Sequence, residues 1–290
     1  SSSAKAEMAT VALPLFDTSA VPARKTQDQR CIVEVCCSSN SLIGKLADSC
    51  CEVIRITEED DFTTDKGRVK ALTAARKYGV DTLVWISIPC TGGSPWQNLN
   101  KKRKSGLVRL RQHHKLFKQL WLSAVEVAHE VRNVGGRVAI EWPRNCAYWR
   151  WNCVRKLAKE MGFRFAKFDG CAFGLKDPEG VPMRKPWMLA TDDDHLHAAL
   201  ADKTCPGHAV HRKVEGELTK ATENYTEELV NTVHLAWRES IRSRNQKMCA
   251  SSPSANAPDH SHISLNSPIP AMPTQPEIHP HRSRNNNWGF

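Results

Sequence analysis

Two side chains capable of covalent and acid–base chemistry stand where apolar runs of this chain end. Cys90 follows Pro89 at the close of the run 81–89, and Glu141 follows the apolar residues 138–140. A thiolate is a strong nucleophile, and a carboxyl group in a cleft can donate or accept a proton. A third turn, from Cys36 to Asn40, carries thiols, hydroxyls and an amide. These three turns are the first candidates for a functional site.

Short apolar runs alternate with amphipathic segments between about residues 30 and 240, which predicts a parallel sheet with crossover helices. In such a sheet, functional groups gather beyond the carboxyl ends of the strands, so we expect the three turns to meet there. The predicted strands are 31–37, 51–57, 81–89, 137–142, 163–174 with its turn, and 184–191, and the predicted helices are 41–50, 63–78, 107–133, 151–162 and 226–243.

The two ends of the chain differ in composition from its middle. Residues 1–28 lack a sustained apolar period, and residues 246–290 are rich in Pro, Ser, His and Asn. Neither composition offsets the entropy of ordering by apolar burial, so both segments are predicted to be disordered. A single α/β domain is expected over 29–245. The missing initiator Met indicates a piece of a longer polypeptide, such as a mobile-element polyprotein.

The chain carries 41 Lys and Arg against 31 Asp and Glu, a formal charge of +10. A surplus of this size favours an anionic partner, of which nucleic acid is the usual one, although ordinary helix faces also carry such charge. The sequence shows no membrane span and no secretory signal. Its eleven cysteines lack a disulfide spacing. We expect an intracellular protein, with the nucleus as one candidate compartment; the sequence leaves the oligomeric state open.

The order of these motifs resembles the DNA (cytosine-5) methyltransferases, with the resemblance spanning about residues 31–240. That family has a Pro-Cys pair at a strand end, a loop, a helix with a Leu-Phe pair, a strand ending in Glu-Asn-Val, and an arginine-containing turn before a last strand and helix. The matching segments here are IPCTGGS (88–94), KLFKQL (115–120), AIEWP (139–143), AFGLKDPEGVPMRKPWMLAT (172–191) and NYTEELVNTVHLAWRE (224–239). The resemblance implies a Rossmann-like fold of the S-adenosylmethionine-dependent methyltransferases.

The resemblance also implies the roles of the catalytic side chains. Cys90 would add to carbon 6 of cytosine, which makes carbon 5 able to accept a methyl group. Glu141 would hydrogen-bond ring nitrogen 3, and Arg184 would help to hold the substrate. Because a base inside a duplex is unreachable, it would be flipped into a pocket, and a basic mobile loop, 98–104, would close over it. The expected substrate is DNA rather than RNA.

By the same resemblance, S-adenosylmethionine is the expected cofactor, held by the turns after the first and second strands. The family's glycine-containing signature after the first strand is replaced by EVCCSSNS (34–41), and the large target-recognition region is reduced to residues 192–222. The candidate cofactor-binding residues are Glu34, Cys36, Ser38, Glu58, Asp61 and Pro89.

A second constellation has the spacing of metal ligands. Cys205, His208 and His211 lie within seven residues, and Cys171 would complete a tetrahedral set. The sequence predicts a structural zinc site that staples the reduced region 192–222. The alternative is a surface loop that happens to carry histidines.

Each candidate also has a purely structural interpretation. Cys90 can be a buried thiol, and Glu141 can pair with Arg137 or Arg144 at the surface. The run KKRK (101–104) can be a solvated loop rather than a phosphate contact. The segment AYWRW (147–151) can pack in the core rather than stack on bases. Two alternative functions follow. One is a catalytically inactive domain that binds nucleic acid or a partner, and the other is a zinc-stabilised structural module.

Overall fold

The computed structural model describes residues 29–214, Leu218, Thr222 and residues 224–251. The predictions of disorder for 1–28 and for most of 246–290 therefore fall outside the described residues. Within them, the chain forms an α/β structure with a single sheet.

The sheet contains six strands in the described part of the chain, in the order β2-β1-β3-β4-β6-β5. Strands β1 to β4 run parallel, whereas β6 is antiparallel to both β4 and β5. The fold is thus mostly parallel and compatible with a Rossmann-like arrangement. The strands are β1 (Arg30–Val35), β2 (Cys51–Ile56), β3 (Thr82–Ile86), β4 (Arg137–Pro143), β5 (Arg164–Asp169) and β6 (Pro186–Thr191).

Helices cover both faces of the sheet. Alternate residues of a strand point to opposite faces. Val33, Val84 and Ile140 accordingly join one apolar core, while Ile32 and Leu83 join the other. The first core takes in α2, α4 and α5, and the second takes in α1, α6 and α7. The helices are α1 (Leu42–Lys45), α2 (Asp65–Tyr78), α3 (Gln97–Asn100), α4 (Lys104–Asn133), α5 (Asn152–Met161), α6 (Asp194–Leu200) and α7 (Glu227–Ser251).

The predicted strands all form, but five helices, α1, α3, α4, α6 and α7, differ from the sequence expectation. Helix α1 is a single turn that ends at Lys45, and α4 begins at Lys104 rather than at Leu107. Helix α7 continues to Ser251, so residues 246–251 are helical and not part of a disordered tail. The sequence also missed α6, which lies in the predicted insert 192–222; the side chain of Asp193 caps this helix by accepting from the Leu196 N–H at 2.8 Å.

The aromatic segment 147–151 belongs mainly to the core. Tyr148 is fully buried, and its ring stacks on Phe117 with 3.9 Å between centroids. Trp142 and Trp151 pack against the same tyrosine. The packing interpretation of this segment is therefore confirmed for Tyr148. Among the described residues, no helix combines the length and the apolar character that spanning a membrane requires.

Candidate functional site

A cavity of about 290 Å³ lies where the connections of the sheet change direction. The chain leaves β1 towards β2 on one side and leaves β3 towards β4 on the other, which opens a crevice at the carboxyl ends of the central strands. Because β6 is antiparallel, its first residues reach the same edge. The cavity is lined by the turns after β1 and β3, by the last residues of β4, by Lys185 and Trp187 at the start of β6, and by Asn224 and Tyr225 before α7.

Cys90 lines this cavity at the end of the segment that follows β3. Cys90 is partly exposed as a residue and also packs against the apolar core that contains α2, α4 and α5. Its loop is held firmly. The Trp142 indole N–H donates to the Ile88 carbonyl at 2.7 Å. A Cβ on Gly93 would come within 2.5 Å of the Cys146 sulfur. The loop after Cys90 is therefore packed against the segment that follows β4.

Glu141 lines the same cavity from β4, and only 6% of it is exposed. Its Oε2 accepts a hydrogen bond from the Tyr225 hydroxyl at 2.7 Å, whereas its Oε1 has no partner among the described residues. Burial raises the pKa of Glu141, and the positive charge of Lys185 and hydrogen bonds from Tyr225 and Ser87 oppose that shift. The result is a carboxyl group that binds its proton more tightly than an ordinary glutamate and has one oxygen without a hydrogen bond among the described residues.

Neither arginine that could have paired with Glu141 does so. Arg144 pairs with Asp169 at 3.1 Å, and Arg137 lies 4.0 Å from Asp193. The surface ion-pair interpretation of Glu141 is thus wrong. Burial raises the pKa of Cys146 to about 12, and the neighbouring Cys90 and Glu141 add to that shift. The structure therefore brings the predicted thiol and carboxyl group together at one cavity.

The turn after β1 lines the other end of the cavity with Cys36, Ser38 and the side chain of Glu34. Glu34 is buried and accepts from the Ser41 hydroxyl at 2.5 Å, while its Oε2 has no partner among the described residues. Burial raises the pKa of Glu34 to about 7. Cys36 has a φ of 61°, so a cysteine occupies the left-handed conformation that glycine usually supplies.

Two predicted cofactor residues lie outside the cavity lining. Glu58 and Asp61 are exposed in the turn after β2. The Oδ1 of Asp61 accepts from the Thr63 hydroxyl at 2.6 Å and from the Thr63 N–H at 3.1 Å, so this carboxylate stabilises the turn. Pro89, by contrast, does line the cavity. The structure therefore brings the residues after β1 and β3 together and leaves the acidic residues after β2 apart.

Arg184 is not at the cavity either. It is 55% exposed and pairs with the buried Asp169 at 3.1 Å. The cation that lines the cavity is the next residue, Lys185. Arg184 and Lys185 stand before β6 in a tight turn, in which the Lys185 N–H donates to the Met183 carbonyl at 3.0 Å. Within this turn the Arg184 side chain meets Asp169, whereas Lys185 meets the cavity. The predicted role of Arg184 is corrected accordingly.

Sequence reasoning missed several polar residues of the cavity. The Tyr225 hydroxyl lies 2.8 Å from the Ser87 Oγ and accepts from the Trp85 indole N–H at 3.1 Å. Tyr225 lies 84 residues beyond Glu141, in the segment 224–239 that carries part of the family resemblance, but the resemblance implied no role for this side chain. Lys185 had a signal, since it adjoins the arginine that was chosen. Ser41 and Ser87 had none beyond their position near strand ends.

The Asp169 carboxylate accepts hydrogen bonds from three groups, so its replacement tests how much these contacts stabilise the fold. Its carboxylate is fully buried and accepts from Arg144, from Arg184 and from the Cys205 N–H. Removing it leaves these donors without their acceptor, so Asp169→Ala is expected to lower the free energy of unfolding by about 2 kcal/mol, below the range for fully buried pairs because both arginines reach solvent. Urea unfolding measures the change.

The matched control for Asp169 is Asp194→Ala. Asp194 also pairs with an arginine, Arg164 at 2.5 Å, but both side chains are well exposed. Exposed pairs contribute at most about 1 kcal/mol, so this variant is expected to unfold nearly as the parent does. Equal effects of the two substitutions would contradict the role given to Asp169.

A basic depression of about 660 Å³ adjoins the Cys90 loop. His114 on its rim contacts the Gly92 carbonyl, with 3.0 Å between Nε2 and the oxygen, and the Trp151 ring lies 5.0 Å from the His114 ring. Lys101 to Lys104 are exposed, and the predicted loop 98–104 is partly helical because α3 ends at Asn100. The cationic residues of the depression are Arg111, Lys115, Lys118 and Arg150.

The four predicted metal ligands also come together. The ligand atoms of Cys171, Cys205, His208 and His211 all lie within 4.8 Å of one another. Cys171 follows β5 in the turn Gly170–Phe173, and the other three lie on the segment after α6. This cluster is separate from the cavity that holds Cys90.

Comparison of the chain with protein-family models, with curated proteins and with solved structures finds no match, so the function must be inferred from the residues of the site.

Proposed function

We propose that this domain is a methyltransferase that transfers a methyl group from S-adenosylmethionine to carbon 5 of cytosine in DNA. The observation that carries the proposal is that Cys90 and Glu141, distant in sequence, line one cavity at the switch point of the sheet. The same proposal assigns the Rossmann-like fold to the S-adenosylmethionine-dependent methyltransferases.

Cys90 is the nucleophile of the proposed reaction. Its thiolate adds to carbon 6 of the ring, which forms a carbon–sulfur bond and shifts the electron pair of the 5,6 double bond towards carbon 5. Carbon 5 then takes up the methyl group as the sulfur–methyl bond of the donor breaks, and transfer of the carbon 5 proton to water restores the double bond and releases the thiolate. A partly exposed cysteine on a firmly packed loop suits both steps, because attack requires access and a fixed position.

Glu141 supports the attack as a hydrogen-bond donor to ring nitrogen 3. Negative charge develops on the ring as sulfur adds, and a protonated carboxyl group stabilises it. The raised pKa keeps Glu141 protonated more often than an ordinary glutamate. Tyr225 occupies Oε2 and leaves Oε1 for the base. Lys185 at the same wall counters the developing charge.

The size of the cavity and the adjacent charge favour a flipped base as the substrate. At about 290 Å³ the cavity lies at the lower end of ligand pockets, which span roughly 300–1,000 Å³. A single ring extruded from a duplex fits such a space. The basic depression next to the Cys90 loop provides cations for the sugar-phosphate backbone.

The end of β1 and the turn after it carry side chains that fit S-adenosylmethionine, which supplies an electrophilic methyl group when bound. The unpartnered Oε2 of the buried Glu34 can accept from the ammonium group of its methionine part. The left-handed Cys36 lets the backbone turn there without glycine. These residues fit the methionine end. Glu58 and Asp61 do not line the cavity, so no ribose partner is assigned.

The second candidate function is a catalytically inactive domain that binds nucleic acid through the same surfaces. The feature that favours it is the turn after β1, where EVCCSSNS contains no glycine and thiols with raised pKa values line the cavity. In this candidate function the basic depression still binds nucleic acid, but no methyl group is transferred. A nuclear location and an origin in a mobile element are compatible with both candidates.

The test is covalent trapping on duplex DNA that contains 5-fluorocytosine, with S-adenosylmethionine present. Fluorine blocks the proton loss that releases the enzyme, so we expect an adduct that survives denaturation and is absent in Cys90→Ser. Cys50→Ser, which changes an exposed thiol, should still form it. An adduct that persists in Cys90→Ser would refute the assigned nucleophile.

Calorimetric titration with S-adenosylmethionine separates the two candidates. Methyl transfer requires binding, and Cys90→Ser should bind as the parent does because serine preserves the shape of the loop. No binding at millimolar concentration, together with no adduct and retained affinity for DNA, would leave the inactive nucleic-acid-binding domain.

A further inference from the structure

The Cys171, Cys205, His208 and His211 cluster has the dimensions of a tetrahedral metal site. The Sγ of Cys205 lies 3.5 Å from the Nδ1 of His208 and 3.2 Å from the Nε2 of His211. Bond lengths of about 2.3 Å to sulfur and 2.0–2.1 Å to nitrogen place the corners of a zinc tetrahedron roughly 3.3–3.8 Å apart. All pairs of the four ligand atoms lie within 4.8 Å of one another, so small adjustments of the side chains bring the four atoms to the corners of such a tetrahedron.

The segment that carries these histidines is fixed at both ends but not in the middle. The Asp169 N–H donates to the Lys203 carbonyl at 2.9 Å, and the Arg212 N–H donates to the Pro182 carbonyl at 2.8 Å. Between these points, Val210 is 68% exposed. Apolar burial therefore gives this stretch little support, yet both its histidines point to Cys205.

We propose that Cys171, Cys205, His208 and His211 bind one zinc ion in a closed structural site that fastens residues 203–212 to the turn after β5. Two sulfurs and two nitrogens in a tetrahedral arrangement match the preference of zinc. The protein supplies all four ligands, so no position is left for water or substrate. The site stabilises the fold and takes no part in methyl transfer, so the inference stands independently of the proposed function.

The groups around the cluster suit a bound thiolate. The Gly207 N–H donates to the Cys205 sulfur at 3.4 Å. The Cys205 N–H donates to the buried Asp169 at 3.1 Å, which fixes the backbone that carries the ligand. Such hydrogen bonds orient ligands and are typical of structural metal sites.

The test begins with elemental analysis of the full chain, for which we expect one zinc per molecule. After removal of the metal, titration with Co²⁺ should give the visible absorption of tetrahedral cobalt with thiolate ligands, saturating at one equivalent. His208→Ala changes a partly exposed loop residue and should lose this absorption. His208→Cys supplies another zinc ligand and should regain it.

Two control variants and a proteolysis measurement complete the test. Cys50→Ser and His195→Ala lie outside the cluster and should bind Co²⁺ as the parent does. Trypsin should cut after Lys203, Arg212 or Lys213 roughly tenfold faster in the metal-free protein, because loss of the ion frees the segment. Co²⁺ binding that survives both His208→Ala and Cys205→Ala, unchanged cleavage on metal removal, or a Cys171–Cys205 disulfide in the purified protein would each overturn the proposal.

Discussion

Replacement of Glu141 by glutamine is expected to slow the formation of the covalent adduct by about 10²–10³-fold, because a positioned acid contributes about 10²–10⁴-fold through its proton, and the glutamine amide donates a hydrogen bond but is far less acidic. Glutamine has nearly the same shape, and its oxygen can still accept from the Tyr225 hydroxyl. What it lacks is the acidic proton that the carboxyl group presents to ring nitrogen 3. Rapid-quench measurement of adduct formation on 5-fluorocytosine DNA gives the rate.

The control for Glu141→Gln is Glu160→Gln, which changes a half-exposed glutamate on α5 and should leave the rate unchanged. Tyr225→Phe adds a readout that a merely structural role would not move. The Tyr225 hydrogen bond lowers the pKa of Glu141, so its loss should raise that pKa further. Since the protonated form is the active one, the alkaline fall in rate should move to higher pH. A wild-type rate in Glu141→Gln would contradict the assigned role.

The ends of the central strands were predictable because two physical patterns mark them. Continuous apolar runs identify buried parallel strands, and the carboxyl ends of such strands share one edge of the sheet. From these patterns alone, Cys90 and Glu141 could be expected to meet. The structure places both at one cavity, and it adds the Trp142 indole, whose hydrogen bond ties the end of β4 to the segment after β3.

The cation and the hydroxyl groups of the cavity could not be predicted in the same way. Whether Arg184 or Lys185 reaches the cavity depends on the register of β6, which pairs Pro143 with Trp187. The sequence alone does not determine that register. Tyr225 reaches Glu141 because it stands just before α7, which packs with α1 and α6 on one face of the sheet, and the motif 224–239 does not indicate that contact.

The acidic cluster after β2 shows a different limit of sequence reasoning. Carboxylates at that position suggest a ligand site, but they equally suit the caps of short helical turns. Here the Oδ2 of Asp60 accepts from the Thr57 N–H at 2.9 Å, and Asp61 stabilises the next turn. The same side-chain chemistry serves both purposes, so composition and spacing could not separate them.

The turn after β1 has an energetic consequence because it buries a carboxyl group. Burial raises the pKa of Glu34 from 4.5 to about 7. A group whose pKa is higher in the folded than in the unfolded protein binds its proton more tightly when folded. The effect of Glu34 on the free energy of unfolding is therefore smallest below the unfolded pKa of 4.5. As pH rises from there through about 7, the buried carboxyl group lowers the free energy of unfolding.

Glu34→Gln is expected to remove this loss. A shift of one pKa unit corresponds to about 1.4 kcal/mol, so the variant should be about 3 kcal/mol more stable than the parent near pH 8 and nearly equal to it near pH 4. Urea unfolding at a series of pH values measures the difference. Glu59→Gln, which changes an exposed glutamate, should follow the parent at every pH. A Glu34→Gln variant that is less stable than the parent near pH 8 would contradict this expectation. It would show that the Oε2 of the ionised Glu34 has a partner in the folded protein, so that this oxygen could not accept from the ammonium group of the methyl donor.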